Sequence, residues 1–462
     1  MILRRTQSLC PVCLRRLDAT YVYDNQNVAL RKTCPDHGSF VVPVWRDAKV
    51  QGSAIPAFKI WTRPKSPSYP ALPHTEVREG CPFDCGLCPE HGQHTCTGLV
   101  EVTLRCDMAC PVCYAGAGGM NAPRDPSIAD ILARLDALQR TSGRCNLQLS
   151  GGEPTVREDL PAIIGLSRQH GFGLIQLNTN GLRLAREEGY AETLAQAGLD
   201  SVYLQWDGVS DESFRALRGQ PCLEFKHHAV EACTRAGLGV VLVATVVRGI
   251  NERELGDLLR LALRFGPSVR GLHVQPAAFF GRYPWRLAEA PRLTMPDIMA
   301  ALTNQAPELV RSDHFHPPAC EHELCSFSAV YRRTSMDGTP GMEPLGQPAP
   351  CCPSVTATAP PPAAEGARAA RQFTALHWKG TGKEPALAAS LGADSFTRFL
   401  AQAGARQRFT LSCMAFQDAL SLDVARVRGC CIHVARSDGR LIPFCLHNLT
   451  SGDGIRLYGI DT

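Results

Sequence analysis

The sequence predicts an α/β fold: a partial (β/α)6 barrel flanked on both sides by cysteine-rich metal-binding regions. Three observations carry the prediction. Between residues 99 and 306, short apolar runs alternate with helical periods, the pattern of a parallel sheet with helices outside it. Six such units suit a curled, incomplete barrel better than a closed eightfold one. The cysteines, 21 in 462 residues, fall into groups at metal-ligand spacings on either side of and within this region.

Bulk properties narrow the function classes. The 48 basic and 44 acidic residues leave a net charge of +4, so no general attraction to nucleic acid or membranes is implied. The first residues carry no apolar signal-peptide core, and the longest apolar stretch, 238–247, is too short to cross a bilayer. Reduced, metal-binding thiols in a cytoplasmic protein are therefore expected rather than a disulfide framework. Such a protein would be peripheral to a membrane if its substrate were a lipid.

Residues 1–50 read as a mononuclear metal unit. Cys10-x2-Cys13 and Cys34-x2-His37 form two knuckles whose donor set suits zinc or a rubredoxin-like iron, and 39–45 reads as a strand. A structural staple is the reading preferred to catalysis, and the segment lacks the basic, aromatic character of a nucleic-acid binder. A Pro/Ser-rich connector, 62–73, follows. Residues 75–98 form an auxiliary iron–sulfur segment, in which Cys81-x3-Cys85-x2-Cys88 is followed by Cys96 as the expected fourth ligand. His91 and His94 compete for that place, and four thiolates at this spacing could also hold zinc.

Within 99–306, strands are expected at 99–104, 146–149, 173–177, 201–205, 240–247 and 271–274. Helices are expected at 128–138, 158–169, 184–197, 227–236 and 252–265. A second triplet, Cys106-x3-Cys110-x2-Cys113, directly follows the first strand, at the strand end where barrel sites gather. No further cysteine follows until Cys145, so one iron of a four-iron cluster held there would stay open. The next strand ends carry Gly151-Gly152-Glu153, then Asn178-Thr179-Asn180-Gly181, then Gln205-Trp206-Asp207, and finally Gln275. Glycines would let backbone approach a ligand there, and Glu153 offers a carboxylate to an ammonium group. Each motif alone is weak; four in register with the triplet are not.

Residues 307–462 form a C-terminal auxiliary-cluster region. A Pro/Ala-rich segment, 346–370, reads as a flexible excursion, 390–403 as a helix, and Ser437-Asp438-Gly439 as a hairpin turn. Cys320, Cys325, Cys430 and Cys445 are the ligands chosen for a second auxiliary cluster, whereas Cys145, Cys222 and Cys233 read as ordinary buried thiols.

The segments RCDMACPVCYA, LSGGEPT, LNTNG and YLQWDG resemble those of the radical S-adenosylmethionine (SAM) superfamily. The resemblance implies a radical SAM barrel with a catalytic [4Fe–4S] cluster on Cys106, Cys110 and Cys113, its open iron chelating SAM. It also implies SAM contacts from Gly151, Gly152 and Glu153, with Asn180, Gln205 and Asp207 toward the ribose or carboxylate and Tyr114 by the adenine. Val112 departs from the aromatic residue often found before the third cysteine. The outer segments LCPVCLRRLDA, KTCPDHGSF, CPFDCGLCPEHGQHTC and FQDALSLDVARVRGCCIH resemble the branch of tetraether lipid synthases and class D radical SAM methylases. In that branch one mononuclear site and two auxiliary clusters accompany the catalytic one. There Cys430 matches the cysteine of a C-x-I-H segment and Cys445 that of P-F-C. The Pro/Ala-rich segment, Cys351-Cys352, the doubling at 430–431 and Cys413 depart from the pattern.

The implied activity is carbon–carbon bond formation, by alkyl coupling or methylation, at an unactivated carbon of a lipid-like or pterin-like small molecule. Flavodoxin or ferredoxin would donate the electron. Transfer of a 3-amino-3-carboxypropyl group from SAM is the rival enzyme reading. A non-catalytic iron–sulfur scaffold or nucleic-acid binder is the third, and would not need the polar strand ends.

Overall fold

Two sheets organise the chain. The computed structural model describes residues 1–24, 27–46, 55, 57–70, 73–118, 122–143, 145–345, 359–380, 404 and 407–461. Its N-terminal sheet is an antiparallel meander of β1 (Ile2–Leu9), β2 (Arg16–Asp24), β3 (Asn27–Cys34) and β4 (Gly38–Arg46). Only β4 was expected. Along β3 inward positions alternate with outward ones, so Val28, Leu30 and Lys32 are buried while Arg31 and Thr33 reach solvent, and Tyr21 of β2 is buried beside Leu30. Phe58 and Trp61, just before the connector, cover this sheet, with the Trp61 ring centroid 5.8 Å from that of Trp45.

The second sheet holds the six expected parallel strands: β5 (Thr97–Thr103), β6 (Asn146–Gly151), β7 (Ile175–Thr179), β8 (Ser201–Gln205), β9 (Gly239–Val246) and β10 (Val269–Pro276). Outside them lie α1 (Ile128–Ser142), α2 (Leu160–Gln169), α3 (Leu182–Arg186), α4 (Tyr190–Ala197), α5 (Asp211–Arg218), α6 (Leu223–Arg235), α7 (Leu255–Arg264) and α8 (Met295–Gln305). The single helix expected over 184–197 is two, broken where Gly189 takes a left-handed φ of 78°. Neither α5 nor α8 was expected. Helix α5 is short and rich in charged residues, and starts on the Ser210 cap.

The sheet does not stop at six strands. β13 (Arg408–Met414) adds in parallel to β10, and the hairpin β11 (Ser326–Met336) and β12 (Thr339–Pro344) adds beyond it. On the other edge, β14 (Ile432–Ala435) pairs in parallel with β5 and carries β15 (Leu441–Pro443) across the expected hairpin. The described sheet thus runs β12-β11-β13-β10-β9-β8-β7-β6-β5-β14-β15. The expected excursion over 346–370 is corrected in its described part. Residues Ala363–His377 form α9, and Gly366 lies so close to the Ala319 carbonyl that a Cβ would stand 1.9 Å from it. The helix expected over 390–403 and Cys351-Cys352 lie outside the described residues. Two short helices, α10 (Val424–Arg428) and α11 (Phe444–Asn448), flank the last hairpin. No helix among the described residues is long and apolar enough to cross a membrane.

Candidate active site and metal centres

Alternation along parallel strands turns every second side chain inward. Register sets Gln148 beside Gln176, Asn178 beside Tyr203, and His273 beside Ser412. These residues line one cavity of about 1000 Å³ enclosed by the curled sheet. Its upper wall is the strand-end rim: Cys106, Cys110, Cys113, Tyr114, Gly151, Gly152, Glu153, Asn180 and Gln205 all line it.

The triplet loop is held from three directions. Arg282, just past β10, donates to the carbonyls of Cys110 (2.7 Å) and Ala117 (2.9 Å). Arg218 of α5 donates to the Val112 carbonyl at 2.9 Å, and Arg456 to that of Ala115 at 2.7 Å. The Met108 N–H donates to Cys106 Sγ at 3.4 Å. Burial pushes the Cys106 thiol up to about 12, so a free thiolate is costly there and a cation or metal would reverse that cost.

The two rim glycines serve backbone packing. A Cβ on Gly151 would lie 2.0 Å from the Thr103 carbonyl oxygen, and one on Gly152 2.2 Å from that of Arg105. That proximity lets the Gly152 and Glu153 amides donate to those two carbonyls at 2.8 and 2.9 Å, which locks the start of the triplet loop to β6.

Glu153 is 1% exposed. One oxygen accepts from Thr155 N, Thr155 Oγ1 and Thr179 Oγ1; the other accepts only the Asn180 N–H, at 2.6 Å. Burial raises its pKa despite these donors. Among the described residues it makes no ion pair, so the cavity offers a buried anion in want of a cation.

Asp207 does not meet the expectation of a ligand contact. It lies behind the cavity wall, and Arg218 grips it with Nε–Oδ2 of 2.6 Å and Nη2–Oδ1 of 2.8 Å. The Thr245 N–H and Gln205 Nε2 occupy the rest of the carboxylate. The group it presents to the cavity is instead the Arg218 guanidinium. Fully buried Lys226 donates to the Asn180 carbonyl and Gln205 Oε1, both at 2.6 Å, and so fixes two rim elements at once. Tyr114 Oη lies 2.9 Å from Ser150 Oγ.

The remaining cysteines regroup. Cys10, Cys13, Cys34 and His37 converge between β1 and β2 and at the β3–β4 turn, with ligand atoms all within 4.8 Å of one another, a donor set fitting one tetrahedral ion. Cys81, Cys85 and Cys88 are buried in a loop whose turn Asp84 closes by accepting three successive backbone N–H groups. Cys96 does not join them: it packs against Cys320 and Cys431. The expected fourth ligand is thereby displaced, because Cys96 sits at the head of β5, beside β14. His91 is also taken, with Nε2 2.8 Å from the Cys430 carbonyl and burial lowering its pKa to about 4. Tyr458 Oη instead reaches this loop, accepting the Cys85 N–H at 3.0 Å.

The second expected set also divides. Cys325, Cys430 and Cys445 do not converge to ligand spacing as Cys96, Cys320 and Cys431 do; burial raises the Cys430 thiol, and the charges of Cys445, Cys325 and Cys96 add to it. Arg426 donates to Cys325 Sγ at 3.3 Å. Cys320 leaves for the Cys96 group, and Cys431, which the sequence reading passed over for Cys430, takes part there. Cys145, Cys222 and Cys233 are buried.

The profile of the Radical SAM superfamily matches residues 100–262, and that of the HMPTM N-terminal zinc ribbon domain matches residues 2–46. A 7,8-dihydro-6-hydroxymethylpterin dimethyltransferase of Methanocaldococcus jannaschii is 31% identical over 96% of this chain and 93% of its own length. A probable GTP 3',8-cyclase of Methanothermobacter thermautotrophicus is 30% identical over 38% of this chain and 56% of its own. Among solved structures, Streptococcus suis SuiB bound to S-adenosylmethionine is 12% identical, with a TM-score of 0.35 over 44% of this chain and 45% of that one.

Proposed function

Because the chain belongs to the radical SAM superfamily, in one family with the M. jannaschii pterin dimethyltransferase, we propose that it methylates a carbon of a pterin. The similarity to that enzyme runs through the ribbon, barrel and C-terminal region alike. The observation that carries the reading is the single cavity joining the triplet and its rim to a polar mid-barrel layer. Gln148 Nε2 donates to Gln176 Oε1, and Gln176 Nε2 to Ser201 Oγ, both at 2.7 Å, while the rings of Tyr203, His273 and Trp378 stand close by. Amides beside aromatic rings suit a flat heterocycle with hydrogen-bonding edges. An alkyl chain would leave those amides without added partners.

In this reading Cys106, Cys110 and Cys113 hold a [4Fe–4S] cluster, which when bound supplies the electron that cleaves SAM. The open oxygen of Glu153 takes the SAM ammonium, and Arg218 offers the cation for its carboxylate. Tyr114 borders the adenine, and Lys226 keeps Asn180 and Gln205 in place. Cys81, Cys85 and Cys88, and separately Cys325, Cys430 and Cys445, are the candidates for auxiliary clusters, and the ribbon holds one zinc or iron. A small electron carrier such as flavodoxin or ferredoxin completes the system.

The test is anaerobic incubation of reconstituted enzyme with SAM, dithionite and 7,8-dihydro-6-hydroxymethylpterin. Mass spectrometry should detect 5′-deoxyadenosine and a pterin heavier by one or two methyl groups, both lost in Cys110→Ala. Deoxyadenosine without any altered pterin would rule out the substrate, and methylthioadenosine would favour aminocarboxypropyl transfer.

A further inference from the structure

A second set of thiols meets the same cavity, far from the triplet in sequence. Cys96 leads into β5, Cys320 precedes β11, and Cys431 precedes β14. Their Sγ atoms lie within 4.8 Å of one another, with Cys96 and Cys431 only 3.1 Å apart. None forms a disulfide, and each is at most 6% exposed. Buried free cysteines are ordinary one at a time. Three that converge from separate segments to ligand spacing are a donor set. In a tetrahedral thiolate site, metal–sulfur bonds of about 2.3 Å set the sulfurs about 3.8 Å apart, within the span observed here and in the ribbon.

The set is incomplete on one side. Ala367, Ala370 and Ile432 pack against it and offer no ligand atom. Among the described residues no fourth Cys, His, Asp or Glu joins the group. Cys96 and Cys320 line the cavity, whereas Cys431 does not, so a donor held in the cavity would approach the group from the side of those two thiols. Structural thiolate sites close with four protein ligands, whereas sites with three keep a position for an exogenous donor.

We propose that Cys96, Cys320 and Cys431 hold a single metal ion whose fourth position opens into the cavity and takes a nitrogen or oxygen donor of the substrate. Zinc is the ion these soft ligands select without redox chemistry. The pterin reading above enters only in naming that donor; the site itself stands on the thiols and the cavity.

The test counts metals in anaerobically purified, reconstituted wild-type protein, Cys431→Ser and Cys320→Ala, with circular dichroism to verify the fold. Each variant should lose one zinc per chain with iron unchanged. Loss of about four irons instead would overturn the single ion in favour of a cluster, and an unchanged metal count would overturn the site. Two variants at opposite corners guard against one that merely misfolds. Zinc X-ray absorption of the wild type with added imidazole then probes the open position. A new nitrogen in the average zinc shell, absent in Cys431→Ser, is expected; an unaltered shell would refute the opening. None of these readouts depends on pterin turnover.

Discussion

Replacing Arg218 with Met isolates the ion pair that braces the strand-end rim. The side chains of Arg218 and Asp207 are 9% and 0% exposed. The substitution deletes two charge-assisted hydrogen bonds to Asp207, one to the Val112 carbonyl and one to Thr245 Oγ1. Stranding one partner of a buried pair costs about 3–5 kcal/mol, mostly for the charge left uncompensated. The Thr245 N–H and Gln205 amide still serve Asp207, so the low end, about 3 kcal/mol, is expected. Asp207→Asn on the same background removes the stranded charge and should restore about 1–2 kcal/mol, a non-additivity typical of residues in contact. The assay is anaerobic urea unfolding of cluster-loaded protein, with all four members of the cycle compared. Arg218 also favours the charged form of the Cys110 thiol, so Arg218→Met should shift the catalytic cluster's reduction potential downward by electrochemical titration. A cost below about 1 kcal/mol, or additive single and double variants, would refute the bracing argument.

Two further outcomes follow from the same rim. Gly152→Ala drives a Cβ to 2.2 Å from the Arg105 carbonyl and 2.9 Å from that of Leu104. Backbone cannot yield as a side-chain tip can, so bound iron should fall and SAM cleavage drop at least about tenfold, equivalent to 1.4 kcal/mol; wild-type iron content and rate would contradict this. Lys226 has its pKa lowered by burial from the ordinary 10.5 to about 8. Between those values the unfolded chain binds the extra proton, so this residue's contribution to stability rises with pH across about 8 to 10.5, and its burial cost is complete below about 8. The stability of Lys226→Met relative to wild type should therefore decline over that window by about 2–4 kcal/mol, and a flat difference in urea unfolding would exclude it.

Elements whose evidence is local were legible in the sequence. The six parallel strands announce themselves as short apolar runs alternating with helical periods, with 201–205 matching β8 residue for residue. The ribbon group is legible because a two-residue spacing fixes each knuckle within one turn, and the structure brings Cys10, Cys13, Cys34 and His37 together. What was missed depends on distance along the chain. β1 reads Ile-Leu-Arg-Arg-Thr-Gln-Ser-Leu, too polar for a strand until one sees Arg4 and Thr6 bonded to Asp423 of the far C-terminal region. Cys96 looked like the partner of Cys88 because eight residues separate them. Strand pairing between β5 and β14 gives it to Cys431, 335 positions away. Asp207 looked like a ligand residue because it ends a strand, and only the course of α5 brings Arg218 back to occupy it.

That difference bears on how the triplet loop comes to suit an anionic cluster. From residue 105 to 118 the loop contains one basic side chain, Arg105, and this is committed to Asp125. The cations that hold the loop come from α5, from the turn after β10 and from the C-terminal tail: Arg218, Arg282 and Arg456. Each binds a backbone carbonyl of the loop, a contact that fixes conformation whatever the loop side chains are. A guanidinium stays charged in these buried and half-buried settings, so the contacts that order the loop also bring cations close to it, and Arg218 among them favours the charged form of Cys110. The spacing of Cys106, Cys110 and Cys113 thus marks a candidate site but does not build it. Its charge balance is a tertiary property, and an isolated peptide with the same spacing would lack it.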